Sequence, residues 1–308
     1  MDRRPRTLFL ANRLARKGAL AFARMVAPLA RVTNLVGAEI PEGEAAMVET
    51  IRRGLAGGIE WFVIAGGDGT LAVAANELVG TSAVLAALPA GTGNTLAWAL
   101  SLPRRDSDWL AMAAQGFVDT MDVGLVQAGG QRRVFLNTVT IGLASTLAGR
   151  LTPTEKRRLG LLAWPRHLGS VLNQAPVVEV ALLDASGTSD RFLTRLLVVV
   201  NGCGLAGPIV AGPPPMANQD GVLEVFALGE DSLSSMARVT VQVLLARHRE
   251  DPAAHYQQAS AFSLLARPPQ SMDIDGERWG QTPARFSVLP RALSTLLPER
   301  FASPGHLL

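Results

Sequence analysis

A glycine-rich turn directly after an apolar strand is the most chemically specific feature of the sequence. Residues 63–70 read Val-Ile-Ala-Gly-Gly-Asp-Gly-Thr, and a helical pattern follows. Glycines at such a place let the backbone approach phosphate oxygens, and the N-terminus of the following helix offers unpaired N–H groups. Because a carboxylate repels phosphate, Asp68 indicates a ligand for a metal ion or an acceptor for a hydroxyl proton. For the glycines alone, a tight turn without a ligand is the alternative interpretation.

A second turn of the same kind follows the next predicted strand. Residues 88–97 read Leu-Pro-Ala-Gly-Thr-Gly-Asn-Thr-Leu-Ala, again a strand end, glycines and a helix start. Two such turns at neighbouring strands form a cleft at the carboxyl edge of a sheet, where open α/β folds bind ligands. Thr92 and Asn94 can donate hydrogen bonds to phosphate or ribose there. Capping of the following helix is the alternative for both residues.

Composition and motif checks exclude several other classes of protein. The 308 residues include 29 basic and 26 acidic ones, so the bulk charge does not indicate nucleic-acid binding, and one cysteine excludes a disulfide framework. Residues 67–72 match the dinucleotide fingerprint, but no acidic residue follows near the end of the next strand to bind a ribose. Neither of the two lysines stands in the pattern of a phosphate-binding P-loop.

The elements around these turns predict two domains. Up to about residue 120, apolar strands at 7–11, 61–65 and 84–88 alternate with helices at 13–29, 44–55 and 71–79, which indicates a parallel sheet covered on both faces. Beyond it, predicted strands that include 133–139 and 192–200 dominate, with helices at 153–173 and 232–249, which indicates a β-sandwich. We expect an α/β domain over 1–120, a β-sandwich over 121–290, and residues 291–308 packed back on the first.

An ordered set of motifs resembles the diacylglycerol kinase catalytic-domain family, which includes bacterial lipid kinases and sphingosine kinases. The two glycine turns and the strand that ends at Asn12 carry the first part of the resemblance. It continues in residues 122–124 (Asp-Val-Gly), 135–142, 201–204 and 215–223, and ends in residues 273–277, Asp-Ile-Asp-Gly-Glu. These motifs stand in the family's order from residue 12 to residue 277, which covers nearly the whole chain.

The resemblance implies a fold, cofactors and roles for individual residues. It implies a phosphofructokinase-like α/β domain followed by a β-sandwich, with ATP in the cleft. The residues that it assigns to ATP are Asn12, Gly66, Gly67, Asp68, Gly69, Thr70, Thr92 and Asn94. Asp68 would act with Mg²⁺ or the acceptor hydroxyl, and Glu277 would take the lipid hydroxyl proton. The Asp220 carboxylate, with the carbonyls of Ala217 and Val222, would hold a structural Mg²⁺.

Two departures from the family pattern leave alternatives open. The family's Asn-Pro-x-Ser-Gly is replaced by Asn-Arg-Leu-Ala-Arg at residues 12–16, and Thr95 stands where the family often has aspartate. The leading hypothesis is an ATP-dependent kinase of diacylglycerol or a similar lipid alcohol. NAD kinase, which shares the Gly-Gly-Asp-Gly-Thr sequence, is one alternative. A nucleotide- or lipid-binding protein with weak catalysis is the other, and it is motivated by these departures. The Asp-Gly pairs at 220 and 275 also occur in ordinary turns.

A lipid substrate implies contact with a membrane surface. The segment Lys156-Arg157-Arg158 precedes several leucines and Trp164, a composition that suits an interfacial element, although a core helix with a solvated basic start has the same composition. No apolar run is long enough to span a bilayer or to form a signal peptide. We therefore expect a cytoplasmic protein at the inner membrane face that binds no nucleic acid, with a homodimer left open.

Overall fold

The computed structural model describes residues 4–142, 177–184, 187, 189–202, 204–206, 209–210, 219–228 and 254–299. Within them the chain divides into two compact units. The first contains the described residues up to Met121 together with those from Arg291 onward, and the second is Asp122–Pro290.

The first unit is a parallel sheet with helices between its strands. Its elements are β1 (Arg6–Ala11), α1 (Gly18–Val32), β2 (Asn34–Glu39), α2 (Glu44–Ala56), β3 (Trp61–Gly66), α3 (Asp68–Leu78), β4 (Val84–Pro89), α4 (Thr95–Ala99) and α5 (Asp106–Gln115). The strands run in the order β2-β1-β3-β4, and all of these neighbours pair in parallel. Ser294 and Thr295, from the long strand β18 (Ala284–Leu297), pair in parallel with β4 on its other side.

The burial pattern explains this arrangement. Every residue of β3 and all but the last of β4 are buried, as expected for central strands covered on both faces. The edge strand β2 has no fully buried residue, and its mixed sequence explains why no strand was predicted there. Helix α1 begins at Gly18 rather than at residue 13, because the intervening residues form turns, with the Lys17 N–H donated to the Ala90 carbonyl at 3.0 Å.

The second unit consists of antiparallel strands. They are β5 (Phe117–Ala128), which begins in the first unit, β6 (Gln131–Phe135), β7 (Thr138–Gly142), β8 (Val178–Leu183), β9 (Ser189–Thr194), β10 (Leu196–Asn201), β11 (Gly204–Ala206), β12 (Ile209–Val210), β13 (Leu223–Leu228), β14 (Ala254–Ala259), β15 (Ala261–Arg267), β16 (Ser271–Ile274), β17 (Glu277–Gln281) and the first half of β18. One sheet contains β18-β15-β8-β9 with the β5–β6 hairpin, and the other has the order β14-β13-β10-β7-β16-β17.

Apolar side chains of both sheets form one core in this unit. Phe135 and Phe286 meet edge to face at 6.4 Å, and Phe262 stacks on Phe286 at 5.1 Å. Valines, leucines and isoleucines from β7, β10, β13 and β16 join the same buried cluster. The second unit is therefore a β-sandwich, and the predicted fold class, an α/β domain followed by a β-sandwich, is confirmed.

Two predicted strands are wrong in their extent. The strand predicted at 133–139 is interrupted between Phe135 and Thr138, where the Asp275 carboxylate accepts hydrogen bonds from backbone N–H groups. The strand predicted at 192–200 is divided between β9 and β10 in different sheets, because the Thr194 hydroxyl bonds both the N–H and the carbonyl of Leu196. The helices predicted at 153–173 and 232–249 lie outside the described residues. No helix in the described ranges has the length and apolar character needed to cross a membrane.

Candidate active site

Three chain segments in the first unit meet where parallel strands end. Strands β1, β3 and β4 are neighbours, so the segments after Ala11, Gly66 and Pro89 emerge at the same edge of the sheet. Backbone bonds continue past the strands: the Asn12 N–H donates to the Ala65 carbonyl at 2.9 Å, and the Ala90 N–H donates to the Gly66 carbonyl at 2.9 Å. The two glycine turns predicted to be neighbours are therefore adjacent.

Glycines allow these turns to come closer than side chains would permit. A Cβ atom added to Gly67 would lie 3.1 Å from the Cα of Gly91, and one added to Gly91 would overlap Gly67. At Gly66 the same addition would come within 2.5 Å of the Thr70 Cβ. The packing therefore requires glycine at these places.

Asp68 is the first residue of α3 and connects the two turns. Its Oδ1 accepts a hydrogen bond from the Leu96 N–H, in the first turn of α4, at 3.0 Å. Its Oδ2 faces Gly93, where a Cβ would stand 3.2 Å away, and it accepts no hydrogen bond from the described residues. The carboxylate is half-buried and keeps one oxygen available beside the glycine turns.

The polar residues predicted around Asp68 hold the turns in place. Asn12 donates from Nδ2 to the Thr70 hydroxyl at 2.7 Å, and its Oδ1 accepts the Leu14 N–H at 2.8 Å. Asn94 closes its own turn, because its Oδ1 accepts the Gly91 N–H and its Nδ2 donates to the Gly91 carbonyl. It stands in the left-handed region at φ 50° without capping α4 through its side chain. Thr92 is exposed on the same turn.

In the second unit, the Asp-Gly-Glu motif forms the turn of the β16–β17 hairpin. Asp275 is buried, and its carboxylate accepts hydrogen bonds from three consecutive backbone N–H groups between β6 and β7. Glu277 begins β17, and its Oε2 accepts a hydrogen bond from Arg133 at 2.7 Å. Sequence reasoning gave no role to Asp275 or Arg133. Asp275 lies on a turn and Arg133 on a partly apolar strand, and nothing in the residues around either one indicates what it contacts.

A second group of acids lies near the segment predicted to bind a structural metal. Asp122 is buried and accepts the Gly221 N–H at 2.7 Å, and the buried Glu224 accepts bonds from Tyr256 and Gln258. Burial raises the pKa of Asp220, and the negative charges of Asp122 and Glu224 raise it further, against the opposing effect of the Val222 N–H. A carboxylate within an apolar strand, such as Glu224 between Leu223 and Val225, is the signal that could have revealed this group.

The predicted metal ligands consist of one carboxylate and two backbone carbonyls. Ala217 lies outside the described residues, whereas Asp220 and Val222 are adjacent through a 3.2 Å bond from the Val222 N–H to Asp220 Oδ1. In the described ranges, no three histidine, cysteine or acidic side chains are grouped so that they could hold a metal. The oxygen of Asp220 is a donor that suits a hard cation. The site at Asp220 stays a prediction.

Apart from the predicted metal ligands, the structure brings the predicted site residues into two groups. Asn12, the glycines of both turns, Asp68, Thr70, Thr92 and Asn94 belong to one edge of the first unit. Glu277 belongs to the second unit, with Arg133 and Asp275. Each group is described within its own unit, so the convergence of Asp68 and Glu277 stays a prediction.

Comparisons with known proteins identify this combination of domains. The model of the diacylglycerol kinase catalytic domain matches residues 6–126, and that of the YegS C-terminal NAD kinase beta sandwich-like domain matches residues 146–297. The two matches include both groups of predicted site residues. Residues 6–126 therefore belong to the diacylglycerol kinase catalytic-domain family.

Individual relatives agree with this assignment. The diacylglycerol kinase of Bacillus subtilis (strain 168) is 26% identical over 245 residues, which cover 78% of each chain. The diacylglycerol kinase of Staphylococcus aureus (strain bovine RF122 / ET3-1) is 24% identical over 277 residues, 88% of this chain and 82% of that one. The crystal structure of a diacylglycerol kinase from Bacillus anthracis str. Sterne superimposes with a TM-score of 0.79 over 98% of this chain at 21% identity, which shows the same fold.

Proposed function

We propose that this chain is an ATP-dependent lipid kinase that phosphorylates the hydroxyl of diacylglycerol or a similar lipid alcohol. The names of the relatives support the reaction class. The observation that carries the proposal is the placement of Asp68, whose carboxylate stands between two glycine turns and keeps one oxygen available. Phosphoryl transfer depends on positioning and charge neutralisation. The glycine turns would position the phosphates, and a cation held by Asp68 would neutralise their charge.

The glycine turns are the proposed site for the triphosphate of ATP. The first N–H groups of α3 have no partner within the helix, and they follow a turn that carries no bulky side chain. A helix N-terminus of this kind attracts anions through its exposed N–H groups and its dipole. The bonds of Asn12 to Thr70 and of Asn94 to Gly91 keep the two turns in fixed positions.

Asp68 is the residue in this group that suits Mg²⁺. Its Oδ2 is a carboxylate oxygen, the kind of donor that this ion takes alongside substrate phosphates. A bound Mg²⁺ would neutralise charge on the phosphates. Asp220 and the carbonyls of Ala217 and Val222 are the proposed ligands of a second, structural ion, and the raised pKa of Asp220 is consistent with a place where added positive charge is favourable.

Glu277 is the proposed general base of the reaction. The hydroxyl oxygen of the lipid bonds to the γ-phosphorus as the bond from that phosphorus to the ADP oxygen breaks. The hydroxyl proton moves to the Glu277 carboxylate. This side chain is about half-exposed and presents its Oε1 without a hydrogen bond from the described residues, so a proton can reach it.

The lipid substrate places the proposed reaction at a membrane surface. We propose peripheral association with the inner membrane face for that reason. The basic segment expected to contribute, which begins at Lys156, lies outside the described residues. A homodimer stays a prediction.

Phosphate transfer from radiolabelled ATP to a panel of lipid alcohols in detergent micelles tests the proposal. We expect Asp68→Asn, which keeps an oxygen to accept the Leu96 N–H, to lower kcat at least about a hundredfold with little change in melting temperature. Glu277→Gln should lower kcat by a comparable factor. Glu49→Gln, an exposed acid on α2, is the matched control and should leave kcat unchanged.

Three results would contradict the proposal. Phosphorylation of NAD without that of any lipid would identify an NAD kinase instead. This outcome is worth testing because residues 146–297 match an NAD kinase beta sandwich-like domain. Lipid or nucleotide binding without transfer would identify a binding protein. Wild-type turnover in Asp68→Asn would remove the role of that carboxylate.

A further inference from the structure

The Asp-Gly-Glu turn has a strongly constrained backbone. Asp275 and Gly276 both have positive φ angles, 48° and 90°, and they form the two-residue connection between β16 and β17. Such a turn fixes the directions of the residues on either side of it. Glu277 is the first residue after the turn, so its backbone position follows from the conformation of the hairpin.

Asp275 ties this hairpin to the bend between β6 and β7. Its Oδ2 accepts the Leu136 N–H at 2.7 Å, and its Oδ1 accepts the N–H groups of Asn137 and Thr138 at 2.9 and 3.0 Å. The Asp275 N–H in turn donates to the Thr138 carbonyl at 2.9 Å. Hydrogen bonds from backbone N–H groups to a buried carboxylate are among the stronger ones in proteins. These bonds hold the hairpin in place without any contribution from the Glu277 side chain.

Arg133 on β6 reaches the Glu277 side chain from the same segment. The two groups differ in exposure, at 13% for the Arg133 side chain and 44% for that of Glu277. Arg133 donates from one terminal nitrogen to Oε2 at 2.7 Å, whereas Oε1 accepts no hydrogen bond from the described residues. The more buried cation thus holds one oxygen of the acid, and the other stays available to a substrate proton.

We infer that Arg133 is a positioning residue that orients the Glu277 carboxylate so that Oε1 receives the substrate proton. This inference rests on the proposed function, in which Glu277 is the general base. The bond to Oε2 limits the rotation of a flexible side chain, and a general base must meet its proton within hydrogen-bond distance. Arg133 acts only through its bond to Glu277.

The expected effects on stability and on catalysis distinguish a positioning role of Arg133 from a structural one. An ion pair with a half-exposed partner contributes little to stability, because solvent screens it and two long side chains lose rotational freedom. The bonds of Asp275 already hold the hairpin. Loss of Arg133 should therefore change the melting temperature slightly and the rate of catalysis substantially.

A double-mutant cycle on the full chain tests the inference. Arg133→Met, Glu277→Gln and the double variant are compared with wild type by kcat, by KM for ATP and for lipid, and by melting temperature. We expect Arg133→Met to lower kcat by about 10- to 100-fold, because a misplaced base costs that much, while KM for ATP stays within about twofold. The double variant should be no slower than Glu277→Gln, because Arg133 acts through that carboxylate.

Two further variants distinguish orientation of the Glu277 carboxylate from a general effect of positive charge on β6. Arg133→Lys can keep a single N–H···O bond, and we expect its kcat to be within about threefold of wild type. Arg132→Met removes the exposed neighbouring arginine on β6 and should leave kcat unchanged.

The outcomes distinguish this inference from the function on which it rests. If Glu277→Gln is slow and Arg133→Met is as fast as wild type, the positioning role is wrong and the general base stands. If the double variant is slower than Glu277→Gln by the full factor of Arg133→Met, Arg133 acts independently of Glu277 and the inference is overturned. Wild-type kcat in Glu277→Gln, or no lipid phosphorylation by the wild type, would remove the proposed function and the inference together.

Discussion

The turns after β3 and β4 and the bend between β6 and β7 bring chain segments together by opposite means. In the first unit, Gly67 and Gly91 approach because neither carries a side chain, and the first N–H groups of α3 have no partner within that helix. In the second unit, the Asp275 carboxylate takes up three backbone N–H groups and leaves none of these for a ligand. The first construction suits an anion that arrives from outside, and the second suits a rigid support for a residue of the protein.

The largest loss of stability is expected at the close backbone contact between Gly67 and Gly91. Gly91→Ala places a Cβ against Gly67, and neither turn can move without disturbing β3 or β4. We expect the free energy of unfolding to fall by about 3 kcal/mol or more, measured by urea denaturation, and ATP binding to be lost.

Gly37→Ala is the matched control for that change. An added Cβ there would meet only the end of the Leu8 side chain, at 3.1 Å, and that side chain can shift. We expect a loss below about 1 kcal/mol. Equal losses for the two variants would mean that the close approach of the turns is unimportant and that the comparison fails.

The second largest effect is expected at Asp275, whose carboxylate holds the bend between β6 and β7. Asp275→Asn keeps one acceptor oxygen and turns an NH₂ group toward backbone N–H donors, so at least one buried donor loses its partner. We expect the free energy of unfolding to fall by about 2 kcal/mol, measured by urea denaturation.

The exposed acid Glu179, on β8 in the same unit, provides the control. Its change to glutamine should alter the free energy of unfolding by less than about 0.5 kcal/mol. A loss in Asp275→Asn no greater than this would show that the three backbone bonds do not hold the bend.

The smallest effect is expected at Asp220, where a substitution should raise the free energy of unfolding instead of lowering it. Because its pKa is raised above 3.8 in the folded protein, the folded state keeps that proton to a higher pH than the unfolded chain does. The stability contribution of this residue therefore falls as pH rises from 3.8 through the raised pKa, and at neutral pH the ionised residue is unfavourable. Asp220→Asn should raise the free energy of unfolding at pH 7 by less than about 1 kcal/mol, since solvent screens a group that is partly exposed.

Thermal unfolding at pH 3 and pH 7 checks this expectation. The advantage of Asp220→Asn should be absent at pH 3 and present at pH 7. If Mg²⁺ binds at Asp220, added magnesium should raise the melting temperature of the wild type and leave that of the variant unchanged. A variant less stable than the wild type at pH 7 in the absence of magnesium would contradict the assigned cause of the shift.

The sequence was most informative where local patterns determine structure. The buried strands β3 and β4 and the glycine turns after them follow from a few consecutive residues, and their adjacency follows from parallel pairing. Strand β2 was missed because its residues are mixed in character and only partly buried at the edge of the sheet. The helix start at Gly18 depends on a bond from Lys17 to Ala90, which no local pattern reveals.

The second unit was harder to predict because its determinants are distant in sequence. The break after Phe135 depends on Asp275, which is 139 residues from Leu136, and the partner of Glu277 is 144 residues away. Family motifs indicated both acids through the Asp-Gly-Glu sequence but not what they contact. A strand that reads as continuous from 133 to 139 carries no mark of a carboxylate that arrives from elsewhere.

Strand β18 has a consequence for synthesis on the ribosome. Its first half pairs with β15, and its Ser294 and Thr295 complete the row of strands beside β4. While the nascent chain is still short of these residues, β4 has β3 on one side and an open edge on the other. The amino-terminal unit therefore lacks this neighbour of β4 until almost the whole described chain has been synthesised. Until then, the open edge of β4 can pair with an incorrect strand.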